Sequence, residues 1–424
     1  METCPAKWPT QKHQCHQPVS KITPGNPIAM DFSSCQSRRH QDFIVHTQNQ
    51  PSKNRIERPL TFRPVTASLL LMSVQLFRFG VLCIALVIAS GLRAAPATPD
   101  KGVAVVPNEA SNRVEVLVDG QPFTSYIWPD TLKKPVLFPL RTASGTIVTR
   151  GYPLEPRPGE RTDHPHHVGL WLNYENVNGV DFWNNSTALP AEQQAKMGTV
   201  VHRRIVKTSS GADQGELEVA MDWMMPDGQP ILHETADFIF RAGPGRRVVD
   251  RISTLTALDK SVVFKDAKDG MLGLRVRREL EQPSTEAVTF TDASGRPTTV
   301  KAMNNTGVSG LYRSSEGKTG DAVWGTRGRW TMLTGKVNQE AVTLIMLDHP
   351  QNAGFPTYWH ARGYGLFAAN PLGQAIFSSG KEKLNFTIQP RKSAAFRYRL
   401  VILNDPATPD QAEAQYRQFV DEVK

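Results

Sequence analysis

Between Leu217 and Phe240 the chain writes out a β-hairpin. Leu217-Glu218-Val219-Ala220-Met221-Asp222-Trp223 alternates apolar and polar residues with the period of two expected of a half-buried strand. Pro226-Asp227-Gly228-Gln229-Pro230 marks a turn, and Ile231 to Phe240 supplies the partner strand. Runs of the same kind recur at Val114 to Val118, Val200 to Val206, Arg247 to Leu255, Leu272 to Val276, Trp330 to Leu333, Val342 to Leu347, Tyr364 to Ala368 and Phe396 to Leu403. Turn residues separate them at short intervals. A chain built this way is mainly β and folds as a large antiparallel β-sandwich, not as βαβ units. One helix is expected, at the C-terminus, where Thr408-Pro409-Asp410-Gln411 offers an N-cap, a proline at the first helical position and a glutamine at N3.

The preceding hundred residues read differently. Residues 1–71 are rich in Gln, His, Ser, Pro and Arg and are expected to form a disordered leader, a sequence that an over-extended reading frame would explain. Residues 72–97 follow the plan of a signal peptide, with Arg78 before the apolar stretch Gly80 to Ala89 and small residues near Ala95. A single membrane anchor is the competing reading, but the apolar stretch is about half the ~20 residues that a span requires. Residues 98–424 then form one sandwich domain, periplasmic or secreted, with no membrane contact after cleavage. All four cysteines, the last being Cys83, precede this domain, so it has neither disulfides nor thiolate ligands. Of the formal charge of +9, the first 100 residues carry +6 (11 basic against 5 acidic). The sandwich is close to neutral, which removes the compositional case for nucleic acid.

Asp163-His164-Pro165-His166-His167 places three of the eleven histidines and a carboxylate within five positions, just before the strand-like Val168-Gly169-Leu170-Trp171-Leu172. Imidazole suits both proton transfer and metal ligation. Three readings follow. His164 and His166, on one side of an extended segment with Asp163 beside them, could begin a metal site completed by a distant His233, His349 or His360. One imidazole could instead work as an acid opposite a carboxylate. Or the rings could serve only to hydrogen-bond the loop.

Strand parity puts Glu234 on an apolar face with Leu232, Ala236 and Phe238, which marks it as a candidate base, with His233 as its neighbour. Asp250 shares a face with Val248 and Ile252 and reads better as half of a buried ion pair. Lys268-Asp269-Gly270 forms a loop leading to Arg275, a pair of cations suited to oxygen-rich groups. Asp348-His349-Pro350 closes another strand. Trp359-His360 lies in an aromatic, glycine-rich segment suited to stacking on a sugar ring.

These residues resemble a family of bacterial proteins labelled methane oxygenase PmoA-like. The resemblance rests on Phe138-Pro139-Leu140, the histidine block, Asn178-Gly179-Val180-Asp181-Phe182-Trp183, Lys268-Asp269-Gly270, Asp348-His349-Pro350 and Ala368-Ala369-Asn370-Pro371-Leu372-Gly373. It covers residues 105 to 405, and the sequence departs from it at Val168, where many members carry Arg. It implies a sandwich similar to the galactose-mutarotase superfamily, whose members bind sugars in an open cleft with histidines and a carboxylate. The expected partner is thus a small carbohydrate. Catalysis would fall to His164, His166, His167, Glu234 and Asp269, and binding to Asp163, His233, Lys268, Arg275, His349, Trp359 and His360. That reading requires neither metal nor other cofactor and leaves the oligomeric state open. A histidine-ligated metalloenzyme and a non-catalytic sugar-binding module are its rivals.

Overall fold

In the computed structural model, residues 101–423 are described, and the leader and the signal or anchor segment lie outside them. The chain forms two eight-stranded antiparallel sheets. Across the first, the strands run Val103–Asn108, Arg113–Val118, Gln121–Ile127, Val136–Leu137, Leu170–Leu172, Leu272–Arg275, Leu366–Asn370 and Tyr358–Arg362. Across the second they run Leu311–Ser314, Trp330–Val337, Glu340–Asp348, Ser393–Leu403, Arg246–Ala257, Pro230–Gly243, Gln214–Met224 and Thr199–Ser209.

The alternation read from sequence sets the layers. Leu217, Val219, Met221 and Trp223 face inward from the second sheet, as do Leu232, Ala236, Phe238 and Phe240 from its neighbour. They meet Val114, Val116, Leu170, Leu172, Leu272, Leu274 and Phe367 of the first sheet in one continuous core. The expected hairpin forms, with Val219 opposite Ala236 and Met221 opposite Glu234. The outer face of the second sheet is covered by the helix Pro409–Glu422, whose Ala412 and Phe419 pack on Val248, Ile345 and Val401. Thr408 and Gln411 close the anticipated capping box. Among the described residues no helix is long and apolar enough to cross a membrane.

The outer face of the first sheet is where polar chemistry collects. On its last four strands the parity is strict. Leu170, Leu172, Leu272, Leu274, Phe367, Ala369, Trp359 and Ala361 enter the core, while Trp171 and Ala368 join a separate cluster on the other face. Parity sends Arg275, Asn370, His360 and Arg362 to that same outer side. Two local expectations shift. The strand before Leu172 begins only at Leu170, because Gly169 adopts φ +58° and a Cβ there would lie 2.1 Å from the Leu137 carbonyl oxygen. Tyr358–Arg362, read as an aromatic segment, is an edge strand, and Gly363-Tyr364-Gly365 is the loop returning it to Leu366–Asn370.

Candidate active site

The histidine block is a turn, not an extended segment. The His167 amide donates to the His164 carbonyl at 2.9 Å, with Pro165 and His166 at the corner. His164 itself sits in the left-handed region (φ 43°), which few side chains other than Asn, Asp and His enter readily. A buried guanidinium holds this shape. Arg150 donates to the carbonyls of Arg161, Asp163, His164 and His167 at 2.8–3.2 Å and to the Asp163 carboxylate at 2.9 Å. Arg275 donates to the same carboxylate oxygen at 2.6 Å. Burial alone would raise the Asp163 carboxyl, but Arg275, His164 and Arg150 together carry it well below the usual carboxylate range. Two fixed cations share one carboxylate, so Asp163 is an anchor and the cluster keeps a positive excess.

The rings form a column. Tyr364 stacks on His164 (centroids 5.0 Å apart, 4° between planes), His164 on His167 (4.8 Å, 3°), and His167 on Trp171 (5.3 Å, 22°). His167, between His164 and Trp171 in the column, is fully enclosed between the Arg275 guanidinium at 3.2 Å from Nδ1 and the Trp183 indole N–H at 3.3 Å from Nε2. Burial, followed by the neighbouring histidines and arginines, keeps its pKa far below the ordinary value. His166 is depressed in the same way, by burial and then Lys134. Both are neutral near pH 7. His164, with a side chain 40% exposed, is the block's outlet to solvent.

Asp269 belongs to the same face. Its loop is pinned at three points. Asn370 Nδ2 donates to the Ala267 and Lys268 carbonyls, the Tyr174 hydroxyl accepts from the Ala267 amide, and Glu175 accepts from the Asp269 amide at 3.0 Å. Gly270 is required there, since a Cβ would lie 2.2 Å from the Tyr174 ring. The Asp269 carboxylate has no guanidinium partner among the described residues. Its nearest charged or ionisable groups are His360 Nδ1 at 3.3 Å and the exposed Lys268 ammonium at 3.5 Å. Burial raises its pKa from the usual 3.8 to about 6, with Lys268 offsetting only part of the effect. His360 is held down to about 3, by burial first and by Lys268 and Arg362 next. Its Nδ1 contacts the Lys268 carbonyl at 3.2 Å, which fixes the proton on that nitrogen and leaves Nε2 as an acceptor. Tyr364 connects the two groups. Its phenol is raised to about 12, by burial, and feels Arg275 and Arg362 from one side of the balance and Asp269 and Asp163 from the other.

The structure therefore brings together Asp163, His164, His166, His167, Lys268, Asp269, Arg275 and His360. Four other candidates lie elsewhere. Glu234 does sit on the apolar face, but that face is the interior of the sandwich. There it accepts from Arg251 at 2.9 Å and from the Trp223 indole at 2.8 Å, with the first sheet between it and the histidines. His233 is on the outer side of the second sheet, paired with Asp222. His349 packs on Phe419 of the C-terminal helix (5.1 Å). Trp359 is wholly buried and donates to the Gly328 carbonyl, so its ring is core and offers no stacking platform. Asp250 is the ion pair anticipated, held by Arg399 and Arg241. Arg362 and Tyr364 fall within the aromatic, glycine-rich segment read from the sequence as suited to a sugar, whereas nothing in the sequence marks Arg150 and Trp324 as site residues.

A transition-metal site needs lone pairs converging on one point. Here His164 and His167 lie in parallel planes, His167 has both nitrogens against donors, and one oxygen of Asp163 takes both guanidiniums. Among the described residues no three His, Asp or Glu side chains are grouped to hold an ion.

Tyr364 and Arg362 also line a cleft of about 380 Å³, together with Arg161, Gln282, Asp321 and Trp324 among others. Residues 113–417 match the model of a family of unknown function (DUF6807). No curated protein matches the chain in sequence. Among solved structures, the chain is similar to a galactose 1-epimerase from Lactobacillus acidophilus (12% identity, 72% of this chain and 99% of that one, TM-score 0.35). It is similar also to a galactose mutarotase-like protein from Clostridium acetobutylicum (11%, 72% and 98%, TM-score 0.30) and to an alpha-galactosidase from Geobacillus stearothermophilus (12%, 71% and 40%, TM-score 0.32). The chain spans well under half of that last protein.

Proposed function

The chain belongs to this family of unknown function, and from its own geometry we propose that it is a carbohydrate-active protein that moves protons on a sugar. The observation that carries this reading is Asp269: a carboxyl raised to about 6, free of any guanidinium, facing a histidine and an exposed lysine on the face where Tyr364 and Arg362 line a cleft. Such a group is half-ionised near pH 6 and mostly a carboxylate at neutrality, poised to accept a proton in general acid–base work. Aromatic and polar groups line that cleft, as a sugar's two kinds of surface require.

The reaction this arrangement supports is ring opening at an anomeric centre. Asp269 takes the proton of the anomeric hydroxyl and the exposed His164 ring gives one to the ring oxygen. The bond from the anomeric carbon to the ring oxygen breaks as the carbonyl forms. Closure on the other face returns both protons and exchanges the anomers. His360 and Lys268 position and tune Asp269, while Arg150, Arg275 and Asp163 hold the turn that presents His164. An exported location, as the sequence suggests, fits a protein acting on free sugars.

The test is anomer exchange measured by NMR across common aldoses, for the wild type and for His164→Asn, a replacement that tolerates the left-handed backbone. The expected result is exchange by the wild type and a loss of about 10²-fold or more in the variant, with sugar binding retained. Binding without exchange in the wild type would leave a sugar-binding module, and no binding of any sugar would overturn the reading.

A further inference from the structure

Arg362 is placed as an anion receptor. Its guanidinium lies 5.3 Å from the Trp324 ring and 5.8 Å from the Tyr364 ring, at the end of the edge strand Tyr358–Arg362. No carboxylate pairs with it among the described residues, although most arginines on this side of the molecule are paired: Arg150 and Arg275 with Asp163, Arg161 with Glu281 and Arg277 with Glu279. Asp321 and Glu286 also line the cleft, but neither reaches ion-pair distance of Arg362, and Asp321 accepts instead from Gln282 at 2.7 Å. An arginine held against aromatic rings keeps its in-plane N–H donors available and has already lost much of its side-chain freedom. Those donors match a carboxylate or phosphate in a two-point contact.

The same guanidinium acts on both His360 and Tyr364, which ties it to the Asp269 end of the site. A ligand bridging the two would carry its acidic group at Arg362 and a hydroxyl at Asp269. The net positive charge of the Arg150–Asp163–Arg275 cluster favours the same sign of ligand.

We propose that the substrate is an acidic sugar, whose anionic group is held by Arg362 while Asp269 addresses its hydroxyl. This rests on the sugar-site reading above. The test is calorimetric titration with glucose, galactose, glucuronate, galacturonate and glucose 6-phosphate, for the wild type and Arg362→Gln. The expected result is at least tenfold tighter binding of an acidic sugar than of its neutral counterpart. Arg362→Gln should abolish that preference, lowering acidic-sugar affinity at least tenfold more than neutral-sugar affinity. The uronate and phosphate arms tell which anion is the better fit. Equal affinity for neutral and acidic sugars, or a preference that survives in Arg362→Gln, would overturn this inference and leave the sugar site standing. If no sugar binds the wild type, the sugar site falls and this inference with it.

Discussion

Glu234 and Asp269 are both carboxylates withdrawn from solvent on strands or loops of the same sandwich, and they are built for opposite ends. Glu234 faces the interior with its oxygens taken by Arg251 and Trp223. Its charge is matched, and nothing is left with which to meet a substrate. Asp269 sits on the outer face of the other sheet, where its nearest cation is a half-exposed lysine and its histidine neighbour is neutral. What separates a structural carboxylate from a reactive one here is the missing guanidinium. Burial alone does not distinguish them.

The comparison can be broken at either end. The largest stability effect should come from Glu234→Ala, which strands Arg251 inside the core and should cost about 3–5 kcal/mol in denaturant unfolding. A loss under 1 kcal/mol would show that the pair is not sealed. Asp269→Asn should act in the other direction. The folded carboxyl keeps its proton up to about pH 6, above the unfolded value. Its contribution to stability is therefore complete below ~pH 4 and is lost as the pH rises through 6, by up to ~3 kcal/mol. The Asn variant should escape that loss, so that it gains on the wild type at pH 8 and not at pH 4. The buried neutral His166 and His167 have the opposite slope, losing stability as pH falls, but they are common to both proteins and cancel in the difference. A difference independent of pH would refute the raised pKa. The smallest effect is expected from His349→Ala, which removes a contact with Phe419 and the acceptor of the Gln351 amide and should cost about 1 kcal/mol with no change in sugar affinity.

Period-two alternation revealed the sandwich and the hairpin, and the Thr408-Pro409-Asp410-Gln411 cap revealed the C-terminal helix, because each depends on neighbours in sequence. Parity also told that Glu234 is buried, but not which side of the sheet is interior to the molecule and which is covered only by loops. The histidine block announced itself by composition. Its geometry did not, since the turn depends on Arg150, thirteen to seventeen residues away, and on a glycine whose constraint comes from the Leu137 carbonyl. The pairing of Asp269 with His360 joins segments some ninety residues apart across the sheet, which no local pattern encodes. Trp359 and His360 show the limit most simply: adjacent in sequence, they face opposite sides of one strand, the first into the core and the second into the site.

The account is tested most directly by measuring sugar turnover in Asp269→Asn and Glu234→Gln side by side, each confirmed folded by circular dichroism. The prediction is a fall of about 10²–10⁴-fold for Asp269→Asn and a change within a few-fold for Glu234→Gln. Full turnover in Asp269→Asn, or a collapse in a well-folded Glu234→Gln, would contradict it.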